Sequence, residues 1–158
     1  MLPSGFTTAG CPIQVFMYTG FKHLHSVLAY VLLAAIIFSL VYAIIQFGRK
    51  KQFTESARKV ALIGFIAAHL QLLVGIVLYL ISPLGITNFS GDVMGDSLSR
   101  LYVLEHPLMM ILGIVLISIG YIKAKNPGDD ARRYKTVILF YALGLIFIIS
   151  RIPWQVWP

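Results

Sequence analysis

The sequence predicts an all-α integral membrane protein, a four-transmembrane-helix up-down bundle with both termini periplasmic. Three observations predict it. Of 158 residues, 58% are hydrophobic and only 12% charged, far from the balance of a soluble domain. The apolar residues gather in four runs with few or no charges, each near the length of about 20 residues that a bilayer crossing needs. Most of the basic residues crowd into two short loops, which by the positive-inside rule face the cytoplasm.

Residues 1–16, MLPSGFTTAGCPIQVF, hold two prolines, two glycines and no charge, so an irregular N-terminal segment is expected ahead of a four-helix membrane domain over 17–158. Cys11 is the single cysteine, which excludes an intramolecular disulfide and any Cys-based metal site. The TAGC string around it lacks the basic and apolar regions of a lipoprotein leader.

The first helix is expected over 21–47, because His23 to Gly48 contains no Lys, Arg, Asp or Glu. Arg49, Lys50, Lys51, Arg58 and Lys59 then mark a loop. A second helix, 59–82, is stopped by Pro83 and the turn-rich stretch PLGITNFSGDVMGDSLS. The third, 97–123, has Asp96 or Ser97 as N-cap and a kink expected at Pro107, which has no N–H to give the helix. After the NPGDDARR loop the fourth helix runs 134–152, and Trp154 and Trp157 suit a membrane–water interface. The first and third loops are therefore cytoplasmic, and helices one and three, like two and four, are diagonal in the bundle. The +7 charge is spent on topology and lipid headgroups, not on nucleic acid.

Ionisable groups at membrane depth are tolerated mainly where they pair, line a cavity or bind something. All four histidines, His23, His25, His69 and His106, lie in or at expected helices. Any one of them could simply bridge helices by a hydrogen bond. As a group they suit ligation, since imidazole is the main neutral nitrogen ligand for haem and transition metals. His23 and His25 are two positions apart and point roughly 200° from each other, so only one can face inward. Counted from the outer ends, His25 and His106 lie roughly 5 and 9 Å deep and His69 roughly 20 Å. His25 with His106 is the favoured axial pair, and His69 with His106 the competing one.

Lys22, Arg100 and Arg151 sit at the outer ends of three helices, where snorkelling to phosphates is the ordinary role. Arg100 and Arg151 also suit haem carboxylates, which a guanidinium grips bidentately. Gln71 lies nearly opposite His69 on the second helix. Glu105 is placed to orient a histidine, to accept a proton from quinol or merely to meet the interface.

The segments MYTGFKHLHS, AAHLQLLVGIVLYLISP, RLYVLEHPLMMILGIVLISIGY and SRIPW resemble a family of small four-helix bacterial membrane proteins labelled cytochrome b-like. The likeness covers Met17 to Trp154, and a fainter one links the bundle to one half of haem A synthase. It implies a multi-pass protein of the bacterial inner membrane, with His23, His25, His69, Gln71, Arg100, Glu105, His106 and Arg151 as motif positions. The expected function is b-type haem binding with electron transfer to or from quinol or a respiratory partner. One haem b is expected, a second being left open by His69. The alternatives are a periplasm-facing copper or zinc site built from His23, His25, His106 and Glu105, and a non-catalytic assembly subunit, with homo-oligomers possible in each case.

Overall fold

The computed structural model describes residues 12–155 and Trp157. These form four long helices, α1 (Pro12–Gly48), α2 (Glu55–Ile81), α3 (Ser97–Lys125) and α4 (Asp130–Ser150), with no strand among the described residues. All four are long and apolar enough to cross a membrane.

The expectation of irregular structure over 1–16 is corrected for Pro12 to Phe16, which are helical. Pro12 is the first described residue of α1. Residues 1–11, with Cys11, lie outside the described residues. α2 and α4 each begin about a turn earlier than expected, since Lys and Arg do not oppose a helix. For α4 the start is fixed by Asp129, whose carboxylate accepts the Arg132 N–H at 2.7 Å. Arg151 and Ile152 fall beyond its end.

The buried positions explain why four apolar rods pack in one way. On α2 they are Ala57, Ala61, Gly64, Ala68 and Gln71, and on α4 Tyr134, Val137, Tyr141, Gly144 and Ile148. Alternating steps of four and three hold one face of each helix toward its neighbours, the seam of a left-handed bundle. Helix contacts run α1 to α2, α2 to α3, α3 to α4 and α4 back to α1, so α1–α3 and α2–α4 are the diagonals, as expected. The outside is apolar, with Val31, Phe38, Ile66, Leu73, Val115 and Ile146 about half exposed. Such a surface is matched to lipid tails.

With apolar residues on both sides of each helix, close packing and buried hydrogen bonds set the fit. α3 and α4 touch through their backbones: a Cβ on Gly113 would lie 2.9 Å from the Gly144 carbonyl oxygen, and one on Gly144 2.8 Å from that of Gly113. Across the bundle the fully buried Tyr141 hydroxyl donates to the Ala61 carbonyl at 2.6 Å. Tyr141→Phe keeps the ring and removes this bond. We expect it to cost about 1 kcal/mol of stability, read as a lowered midpoint of unfolding in detergent.

At the basic end, Arg133 donates to the Ala124 and Phe53 carbonyls at 2.8 and 3.3 Å and lies 4.1 Å over the Phe53 ring. One side chain thus ties the α3–α4 turn to the α1–α2 linker. At the other end Asp96 caps α3, its carboxylate accepting the Ser99 N–H at 2.8 Å. Hydrogen bonds from Ser99 hold the Asp96 carboxyl below its usual range. The cap is therefore fully formed at neutral pH and fades only as pH falls through that lowered value.

Candidate functional site

The kink expected at Pro107 takes a specific form. Leu101–Glu105 is a single π turn inside α3, and the His106 N–H bonds the Leu101 carbonyl five residues back. Pro107 has no N–H for the Val103 carbonyl, which a regular helix would otherwise satisfy. Tyr79, reaching over from α2, supplies the donor: its hydroxyl lies 2.9 Å from the Val103 oxygen. Val103 is buried, so the bond replaces one that water cannot make. Tyr79→Phe should cost about 1–2 kcal/mol and loosen the head of α3, seen as faster amide exchange over residues 101–107.

His25 on α1 meets His106 across the bundle diagonal. Their ring centroids are 6.1 Å apart with planes at 75°. Both line an apolar cavity of about 150 Å³, closed by Leu72, Met110, Ile114 and Ile148. Ile76 on α2 and Ile111 on α3 also line it and are about half exposed, so its mouth opens between those helices toward lipid.

Each imidazole is held by a neighbouring element. The His106 Nδ1–H donates to the Arg151 carbonyl at 2.8 Å. A carbonyl can only accept, so Nδ1 carries the proton and Nε2 keeps a free lone pair. His25 lies against α2, where a Cβ on Gly75 would be 3.1 Å from its Cε1. The Gln71 amide nitrogen donates to the His25 carbonyl at 2.9 Å and lies 3.2 and 3.3 Å from the two ring nitrogens. Gln71 Oε1 is buried without a hydrogen-bond partner among the described residues. It is a buried, unpaired acceptor on a residue that lines the cavity.

Above this apolar chamber lies a polar one. Glu105 is gripped by Arg100 (Nε to Oε1, 2.8 Å) and by Arg151 (Nε to Oε2, 3.2 Å), and Arg100 also donates to the Met94 carbonyl at 2.9 Å. These three line a cavity of about 310 Å³ with Ser97, Ser150 and Trp154. Glu105 and His106 are adjacent in sequence, so consecutive residues of α3 wall the two chambers. The C-terminal segment folds back over the same end, with Trp157 stacked on Tyr30 of α1 at 4.4 Å.

The expected site residues divide cleanly. His25, His106 and Gln71 share the inner chamber; Arg100, Glu105 and Arg151 share the outer one. The competing pair of His69 with His106 is not brought together: the His69 Nδ1–H donates to the Phe65 carbonyl at 2.8 Å, and Nε2 lies 3.5 Å from Ser118. His23 is exposed, as the divergence of an H-x-H pair on a helix requires. The copper or zinc set is likewise not gathered, Glu105 being committed to two arginines. No group of three or more His, Cys, Asp or Glu side chains placed to hold a metal ion occurs among the described residues. Three contributors were not foreseen: Tyr79, Gly75 and the Arg151 carbonyl. Only the first left a signal, since Pro107 implies an orphaned carbonyl that some donor must meet.

No family model, curated protein or solved structure matches the chain.

Proposed function

We propose that the chain is a b-type haem protein of a membrane, most simply a bacterial inner membrane, with His25 and His106 as the axial pair and electron exchange with quinol or a respiratory partner. The observation that carries this is the diagonal histidine pair. The two ring centroids are 6.1 Å apart, close enough that both imidazoles would hold one haem iron between them. Two imidazoles leave a tetrahedral ion half-ligated, whereas a macrocycle brings its own four nitrogens.

The donor set fits haem. The His106 Nδ1–H bond to a carbonyl is the outer contact that fixes a ligating tautomer. The enclosed 150 Å³ takes about one aromatic ring, so a tetrapyrrole must also use the lateral mouth between Ile76 and Ile111. Arg100 and Arg151 stand in the adjoining chamber as partners for its carboxylates. Haem bound there supplies one-electron redox chemistry; the chain supplies the imidazoles, an apolar wall and the cationic rim. By the positive-inside rule the basic end is cytoplasmic, which puts both chambers and both termini on the periplasmic side.

A second reading is favoured by the same cavity's size and by Gln71 Oε1. A ring-sized chamber open to lipid, lined by His106 and by Gln71 with its unpaired Oε1, suits a quinol, whose two hydroxyls are donors. Purified protein decides between them. A dithionite-reduced minus oxidised spectrum with a b-type α-band, and a haemochrome assay giving haem in stoichiometric amount, supports the first. A colourless protein, even after added haem, overturns it and leaves the quinol reading.

A further inference from the structure

We infer that Glu105 is a positioning residue that sets the tautomer of His106 through Arg151, without touching the imidazole. The inference rests on the reading of His106 Nε2 as the nitrogen that meets the occupant of the inner chamber, whether haem or quinol.

Four linked contacts carry it. Arg151 is the C-cap of α4: its N–H still bonds the Ile148 carbonyl, at 3.4 Å, but its own carbonyl lies past the last turn of the helix. Its main-chain oxygen accepts the His106 Nδ1–H at 2.8 Å, while its guanidinium is tied to Glu105 Oε2 at 3.2 Å. Glu105 is in turn anchored by Arg100 at 2.8 Å, and Arg100 by the Met94 carbonyl. The chain of contacts therefore runs from the loop before α3, through a carboxylate on α3, to the C-terminal segment, and back to α3 one residue further on. It closes a loop around His106.

The chemistry follows from what a carbonyl can do. An imidazole with a free choice of tautomer places its one proton on either nitrogen. An acceptor held 2.8 Å from Nδ1 draws the proton there and leaves Nε2 as a lone pair for iron or for a donor hydroxyl. If the Arg151 segment drifts, water competes for Nδ1 and the proton redistributes. A direct Glu105–His106 contact would instead put a charge on the ring and favour imidazolium. Routing the acidic group through an arginine gives position without that charge.

The test uses the full-length, haem-free protein in detergent micelles with ¹⁵N-labelled histidine, so that failure of the haem reading does not touch it. In the wild type, the His106 ¹⁵N shifts report a protonated Nδ1 and a bare Nε2. Glu105→Ala and Arg151→Ala each convert this to a mixture of tautomers, and the double variant is no worse than either single one. Glu105→Gln, which keeps the shape and one acceptor, shifts His106 less than Glu105→Ala. It also serves if the alanine variant fails to fold. Arg151→Ala retains the carbonyl, so a loss there identifies the guanidinium clamp and not the acceptor. An unchanged His106 tautomer in folded Glu105→Gln and Arg151→Ala proteins, or effects that add in the double variant, overturns the inference.

Discussion

If the proposed haem reading holds, His106→Ala and His25→Ala are each expected to abolish a b-type α-band of the purified protein, whereas His69→Ala is expected to keep it at wild-type intensity. The prediction is all-or-none because an axial nitrogen has no nearby substitute. Among the described residues only these two imidazoles line the inner chamber. His69 is turned to its own helix and to Ser118, and His23 lies on the exposed side of α1. Loss of either ligand should lower haem content at least tenfold in a haemochrome assay, with the unfolding midpoint of the haem-free protein little changed. A band that survives His25→Ala but not His69→Ala would replace the proposed pair with the competing one. Arg100→Ala and Arg151→Ala are expected to lower haem retention less, since neither removes a ligand.

The largest effect on stability is expected at the α3–α4 contact. Gly144→Leu should destabilise the bundle by about 3 kcal/mol or more, measured by denaturant titration in a fixed detergent. Even the first added carbon would sit 2.8 Å from the Gly113 carbonyl oxygen and 2.7 Å from Ile117 Cγ1. Backbone cannot rotate out of the way as a side chain can, so the helices must separate. Separation forfeits the close contacts along the seam, and in lipid no hydrophobic effect drives them back together. Leu143→Ala is the control: that side chain is among the exposed apolar residues, and its loss should change stability by less than about 0.5 kcal/mol. Equal costs at the two positions would remove the seam as the explanation.

The two predictions sit at opposite ends of what could be read from residues alone. Nothing local to Gly113 said which neighbour presses on it; Gly144, on another helix, supplied the answer. His25 and His106 were favoured as a pair on depth and on the diagonal. His69 could be set apart only once its ring was seen to bond the Phe65 carbonyl. Pro107 announced a disturbance in α3 without giving its form, because a π turn, a kink or a break all relieve a missing N–H. At the chain start, proline and glycine content pointed to irregularity, yet Pro12 to Phe16 are helical: composition alone does not say whether a proline lies in a helix or outside one.

Composition and spacing by themselves determined that the described chain is helical, that four of its helices are long and apolar enough to cross a membrane, and which helices are diagonal. Those properties follow from hydrophobic run length, from the 3.6-residue period and from short connections, all of which are local. Only the tertiary structure decided which nitrogen of His106 carries the proton, what Glu105 holds, and what satisfies the carbonyl that Pro107 abandons. The partners in each case are backbone oxygens or side chains on other elements, such as the Arg151 carbonyl 45 residues beyond His106. A carbonyl is present at every residue and identifies none. Its role is conferred by the packing that brings it within hydrogen-bond distance.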